Sequence, residues 1–258
     1  MSEGLRDPKT RFSDRVDNYV RYRPHYSKEV VQALQQACGL RSVHVIADVG
    51  CGTGLLAEVF LQNGNPVYGI EPNPEMRAAG EAYLSQYANF KMLDGSAEAT
   101  GLPASSVDFI VAGEAFHWFR PQETRTEFVR ILRTGGCVAL IWHDRNTEGS
   151  PFLRAYEELL RRFSNDYKQV SQRLGITNPV LRDFFAPHAV QVIEQETEQQ
   201  FDLEGLRGRL LSSSYAPNSG PRCHEMLAEL ERVFQTHAED GRVTIPYTTR
   251  IYCGQLMP

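Results

Sequence analysis

The segment that most restricts what this chain can fold into is Asp48-Val49-Gly50-Cys51-Gly52-Thr53-Gly54. It follows a β-branched run, Val43 to Val49, that reads as a buried strand, and it opens a helix expected from about Leu55 to Gln62. A plain turn needs one glycine, whereas this loop carries three. Such glycines let the backbone take positive φ and approach a ligand closely. In open α/β sheets, ligands bind beyond the carboxyl ends of the strands, where this loop would lie.

The rest of the first half repeats the alternation. Lys28 to Cys38 places Val30, Val31, Leu34 and Ala37 on one helical face, and Gly39 stops it. Strands are predicted at Val67–Ile70, Asn89–Leu93, Val107–Ala112 and Cys137–Trp142, with helices at Pro74–Gln86 and Pro121–Arg133. Strands alternating with helices argue for a parallel sheet covered on both faces. After His143 the pattern changes. Ser150-Pro151 caps a helix bearing Phe152, Leu153, Tyr156, Leu159, Leu160 and Phe163. A less regular stretch runs to Pro187. Ala189–Glu196 and Val243–Tyr252 read as strands, with helices at Leu203–Ser213 and Arg222–Ala238. The second half is therefore expected to supply the last two strands of the same sheet and an inserted helical cap.

Two nucleotide-type ligands compete for the glycine loop. A dinucleotide fingerprint, G-x-G-x-x-G/A, needs a small third residue to pack helix on strand. Counted from Gly50 that position is Leu55, and the spacing is G-x-G-x-G instead. Val45-Ile-Ala-Asp-Val-Gly-Cys-Gly-Thr-Gly54 resembles motif I of class I methyltransferases, and Gly69-Ile70-Glu71-Pro72-Asn73 resembles their motif II. Leu93-Asp-Gly-Ser-Ala-Glu98 is similar to the loop that edges the adenine in small-molecule methyltransferases of the ubiquinone/menaquinone type. There the pattern is often Gly-Asp-Ala; here it is Gly95-Ser96-Ala97. Ala115-Phe-His-Trp-Phe119 resembles a segment of trans-aconitate-methyltransferase-like proteins, and Phe12 to Pro24 resembles the leader of the same subgroup.

The resemblance implies a doubly wound, Rossmann-like α/β fold with a seven-stranded, mostly parallel sheet and a helical cap. It implies S-adenosyl-L-methionine as cofactor and S-adenosyl-L-homocysteine as product. The cofactor-binding residues it points to are Asp48, Gly50, Cys51, Gly52 and Gly54 in the loop, and Glu71, Pro72, Asn73 and Met76 after strand two. Ser96, Ala97 and Glu114 join them, with Arg23 and Tyr19 from the leader. Glu71 would accept the ribose hydroxyls. Arg23 would pair with the cofactor carboxylate, and Tyr19 and Phe12 would shield the sulfonium, a cation that suits aromatic faces.

Displacement at a sulfonium methyl needs alignment and water exclusion more than a covalent nucleophile. A base is needed only for some acceptors. Candidates are Glu114, His117, His143 and Asp144, with His117 the best placed. A competing reading packs His117 beside Trp118. His143 and Asp144, as neighbours on a strand, point apart. In the cap, Arg207 or Arg209 is available to bind an acid. No H-x-x-x-H spacing occurs, and no bound metal is expected.

Composition narrows the partners. The chain has 258 residues, 41% of them hydrophobic, and a formal charge of -5. That length fits one domain: cofactor-covering helices at 1–40, a cofactor core at 41–145, and cap plus last strands at 146–258. The acidic balance argues against nucleic acid as a partner. No 18-residue apolar run exists, so no membrane insertion is expected, and Met1 to Arg15 lacks the apolar core of a signal peptide. Five scattered cysteines fit reduced thiols in the cytoplasm. The expected activity is methyl transfer to a small-molecule acceptor by a monomer or homodimer. The alternatives are an RNA- or protein-directed methyltransferase, or a protein that binds the cofactor without catalysis.

Overall fold

The computed structural model describes residues 21–164, Tyr167 and residues 178–256. Its centre is a seven-stranded sheet in the order β3-β2-β1-β4-β5-β7-β6. The strands are β1 (Ile46–Val49), β2 (Val67–Ile70), β3 (Phe90–Leu93), β4 (Val107–Gly113), β5 (Leu132–Arg145), β6 (Gln191–Phe201) and β7 (Val243–Gln255). The first five pair in parallel. β7 is antiparallel to both of its neighbours, β5 and β6. Numbered in order, the bounded helices are α1 (Lys28–Cys38), α2 (Leu55–Gln62), α3 (Pro74–Tyr83), α4 (Pro121–Ile131), α5 (Pro151–Phe163), α6 (Asn178–Phe185), α7 (Leu203–Leu211) and α8 (Gly220–His237). This is the doubly wound, mostly parallel arrangement that the sequence implied.

Alternation along the strands divides the core in two, as a parallel sheet buried on both faces requires. Ile46, Ala139 and Ile141 face α1 and α2, packing with Val30, Leu34 and Phe60. Ala47, Val138, Leu140 and Trp142 face the other way, against Phe128 and Ile131 of α4 and Phe184 of α6. A third apolar cluster builds the cap. The β6–β7 ribbon continues past Tyr247, the last β7 residue paired with β5. Its Phe201, Val243 and Ile245 pack with Phe152 and Leu160 of α5, Leu206 and Leu210 of α7, and Met226 and Leu230 of α8.

Several boundaries follow local chemistry. Gly39 ends α1 in the left-handed region at φ 65°. Asn73 caps α3 by accepting from the Met76 N–H, and Ser150 caps α5 by accepting from the Leu153 N–H. Others depart from the sequence reading. β1 begins at Ile46 rather than Val43, because the Asn65 amide donates to the carbonyls of Arg41 and His44 and holds those residues in a turn. Val43 is accordingly 71% exposed. β5 runs beyond Cys137–Trp142 at both ends, pairing Leu132 with Val107 and Arg145 with Tyr247. The stretch expected to be irregular contains α6, which buries Leu181, Phe184 and Phe185. Among the described residues no helix is long and apolar enough to cross a membrane.

Candidate active site

The site forms where the neighbouring strands β1 and β4 end, β4 being the central strand of the seven. After Val49 the chain turns through left-handed backbone at Gly50 (φ 71°), Gly52 (φ 58°) and Gly54 (φ 88°). The N–H groups of Gly50 and Cys51 both donate to the Ile70 carbonyl, at 2.8 and 3.1 Å, which ties the loop to β2. Packing demands glycine at two of these positions. A Cβ on Gly50 would stand 2.6 Å from the Ala115 Cβ, and one on Gly54 would collide with Leu84.

Two carboxylates flank this loop in different states. Glu71, 9% exposed, accepts from the Gly52 N–H through Oε2 and from the Asn73 N–H through Oε1, each at 2.9 Å. Burial pushes its pKa up, and those two N–H groups pull against the rise. Arg77 fixes the same turn by donating to the carbonyls of Glu71 and Pro72. Asp48 is 1% exposed, and neither of its oxygens has a hydrogen-bond partner among the described residues. Burial pushes its pKa to about 7, the Cys51 thiol and the Ala57 N–H pull weakly against the rise, and the Glu71 charge adds to it. A buried carboxylate with only these weak donors is costly, so Asp48 marks a place where a ligand can supply stronger ones.

A narrow cleft opens beside Asp48, lined by Arg23, Asp48, Gly50, Glu114, His143 and Arg209 among others. Glu114 sits at the tip of β4 with φ 54°, a left-handed conformation uncommon outside glycine. Its N–H donates to the Ile141 carbonyl at 2.9 Å, and its Oε1 accepts from the His143 N–H at 2.6 Å. Burial lifts the Glu114 pKa to about 7 against the pull of Arg23 and Arg209. The His143 ring shares a 2.7 Å hydrogen bond between Nδ1 and Thr249 Oγ1, and its Nε2 is buried without a partner among the described residues. Burial lowers its pKa to about 4, helped by Arg209 and Arg23, so the imidazole is neutral at pH 7. Tyr26 packs 4.4 Å from that ring, centroid to centroid.

The structure thus gathers Arg23, Asp48, Gly50, Cys51 and Glu114 of the expected set around one cleft. Gly52, Glu71, Asn73 and Met76 form a second, hydrogen-bonded patch behind the loop. Pro72 lies in that turn, and Gly54 is the N-cap of α2. Ser96 follows β3 and exchanges backbone hydrogen bonds with Ala99, while Ala97 is buried between them. His117 lies in a single 3-10 turn, Phe116–Trp118, with its ring 4.9 Å from Trp118, and is not among the residues lining the cleft. His143 lines it; its neighbour Asp144 pairs instead with Arg250. Tyr19 and Phe12 lie outside the described residues.

Sequence reasoning did not find Tyr26, Thr249 or Tyr247. Thr249 reaches His143 only through the β5–β7 register, across 106 positions. The two cap arginines separate cleanly. Arg207 is partly exposed and pairs with Glu231 at 2.7 Å, whereas Arg209 is 6% exposed and lines the cleft.

Comparison with known proteins agrees with this geometry. Residues 47–140 match a family model described as a methyltransferase domain. An uncharacterized methyltransferase of Mycobacterium tuberculosis is 29% identical over 253 residues, covering 96% of this chain and 97% of the relative. One of Schizosaccharomyces pombe is 23% identical over 231 residues, covering 87% of each. Among solved structures, a provisionally assigned type II methyltransferase of Anaeromyxobacter dehalogenans superposes with a TM-score of 0.68 at 20% identity, covering 92% of this chain and 99% of that one. A protein of Methanococcus maripaludis, provisionally assigned as S-adenosyl-L-methionine-dependent, gives 0.53 at 16% identity, covering 75% and 91%. These two likenesses bear on the fold alone. Residues 47–140 thus carry a match to a methyltransferase domain, and the fold around them is shared with solved methyltransferase structures.

Proposed function

We propose that the chain transfers a methyl group from S-adenosylmethionine to a small-molecule acceptor by direct displacement. The observation that carries this reading is Asp48, buried beside the glycine loop with neither oxygen closed by a full hydrogen bond from the described residues. The donor set of the cofactor suits what is left open. Asp48 can accept from its ammonium, and each Glu71 oxygen, after one backbone bond, keeps a lone pair for a ribose hydroxyl. Arg23, on the same cleft, offers a guanidinium to its carboxylate. S-adenosylmethionine supplies a methyl group on a sulfonium, with a neutral thioether as leaving group.

The chain's own part is to align the acceptor and to keep water out. Tyr26 and the cap close the cleft over the ends of β4 and β5. His143 is neutral at pH 7, and its unpartnered Nε2 can take up an acceptor proton or fix an acceptor hydroxyl in place. Glu114 holds the His143 backbone and, with a pKa of about 7, can exchange a proton in the same space. His143 is therefore better placed for acid–base work than His117.

Calorimetric titration with S-adenosylhomocysteine tests the reading, with NAD as the control ligand. Micromolar binding is expected, weakened at least about tenfold in Gly52→Arg while the variant keeps a cooperative melting transition. Absence of binding to folded wild type would sink the proposal. Binding of NAD in its place would reassign the loop to a dinucleotide.

A further inference from the structure

We infer that the methyl acceptor carries an oxyanion, a carboxylate or a phosphate, and that Arg209 is its binding residue; the inference rests on the methyl-transfer reading above. Arg209 projects from α7 into the space between cap and sheet, and it is only 6% exposed. Its partners are neutral. Nε donates to Tyr247 Oη at 3.2 Å and Nη1 donates to Ser213 Oγ at 3.1 Å. No carboxylate stands within ion-pair distance of it among the described residues. Arg145, the comparable buried guanidinium under the cap, has one: Glu157 at 2.5 Å.

This difference is chemical. A buried charge without a counter-charge costs several kcal/mol, and proteins rarely keep one that has no task. Glu114, the acid that feels the Arg209 charge, does not neutralise it. Its Oε1 is taken by the His143 N–H, and burial leaves the carboxyl about half protonated at pH 7. His143 is neutral, so it contributes no charge of its own. Within the cleft, Arg209 therefore meets carboxyls that are only partly ionised. The Arg209 charge is thus left without a full counter-charge among the described residues.

The surroundings fit a binding role. Tyr247 and Ser213 hold the plane of the guanidinium fixed, so little freedom is lost when a flat oxyanion docks on its fork. Arg209 shares the cleft with His143, whose open Nε2 marks the reacting end. An acceptor gripped by Arg209 thus reaches toward the tips of β4 and β5, where Glu114 and His143 meet. Gly208, one residue earlier, admits the Tyr22 ring against α7; any Cβ there would collide with it. That contact seats the segment entering α1 against the cap, on the same side as Arg23.

The test is calorimetry on protein saturated with S-adenosylhomocysteine, using benzoate, succinate and phenyl phosphate as probes, with benzamide and succinamide as uncharged counterparts. At least one oxyanion is expected to bind with Kd below about 1 mM, and its amide at least about tenfold more weakly. Arg209→Gln should lose that preference by about tenfold or more and bind S-adenosylhomocysteine within about threefold of wild type. Arg209→Lys, which keeps the charge and lacks the fork, should fall between. Arg207→Gln should match wild type in both titrations, and melting curves check the fold of each variant. The inference is overturned if no oxyanion binds, if amides bind as well as acids, or if Arg209→Gln retains the preference. It is also overturned if Arg209→Gln loses S-adenosylhomocysteine instead, which would assign Arg209 to the cofactor carboxylate. Failure of wild type to bind S-adenosylhomocysteine at all would strike the methyl-transfer reading, in a separate titration.

Discussion

At pH 8 the Asp48→Asn variant is expected to be more stable than the wild type and to have lost at least about tenfold in affinity for S-adenosylhomocysteine. The stability change follows from linkage. Burial raises the Asp48 carboxyl from an ordinary 3.8 to about 7, so the folded protein prefers the neutral acid. That preference is fully present below the unfolded pKa and is lost as pH rises through the folded one. At about 1.4 kcal/mol per pKa unit, the whole loss amounts to about 4 kcal/mol. Asparagine has the same shape and never ionises. The stability of the variant relative to wild type should therefore grow by about 3 kcal/mol between pH 5 and pH 8. Urea unfolding at the two pH values measures it. A difference that stays flat would mean that the Asp48 carboxylate is already satisfied in the free protein, and the case for a ligand there would go with it. Glu114 shifts in the same direction, but it is common to both proteins and cancels from the comparison.

Glu157→Ala is expected to destabilise the cap by about 3–5 kcal/mol. The Glu157 carboxylate accepts from Arg145 Nη2 at 2.5 Å, Tyr167 Oη at 2.7 Å and Arg161 Nε at 3.1 Å. Arg145 is 10% exposed and reaches no other carboxylate among the described residues, so truncation strands a buried charge. The pair joins α5 to the far end of β5, where the sheet gives way to the cap. Hydrogen exchange should show faster opening in α5 and α7 than in β1 or β4, because the cap has an apolar cluster of its own. Pairing Glu157→Leu with Arg145→Met should recover most of the loss, since matched apolar groups replace buried ion pairs at little cost. Equal exchange rates across cap and sheet would show the two to unfold as one unit.

Much of the scaffold could be read locally. Lys28–Cys38, Leu55–Gln62 and Val67–Ile70 have the same limits in the sequence reading and in the structure. Each is bounded by a residue with a physical reason to stop the element: Gly39 in left-handed backbone, Gly54 as an N-cap, and Asn65 holding the turn before β2. The glycine loop was equally legible, because positive φ and close packing against Ala115 and Leu84 leave no other residue type. Long-range pairing was not. β5 extends to Arg145 only because β7 supplies partners that far, and nothing in residues 143–145 announces it.

The same division runs through the site. Asp48, the glycines and Glu71 lie within 24 consecutive residues of one strand–loop–helix–strand unit, so spacing alone assembled them. The other side of the cleft is built from pairs far apart in the chain: Glu114 on His143, His143 on Thr249, Arg209 on Tyr247. Arg207 and Arg209 look alike in sequence, two residues apart on a helix whose leucines do not form one clean stripe. The sequence by itself determined the sheet's parallel half, the glycine loop and the acid that follows it, because these depend on backbone geometry over a few residues. Only the tertiary structure decided which arginine is buried and which histidine faces the cleft, because burial depends on what the cap helices and β7 pack against.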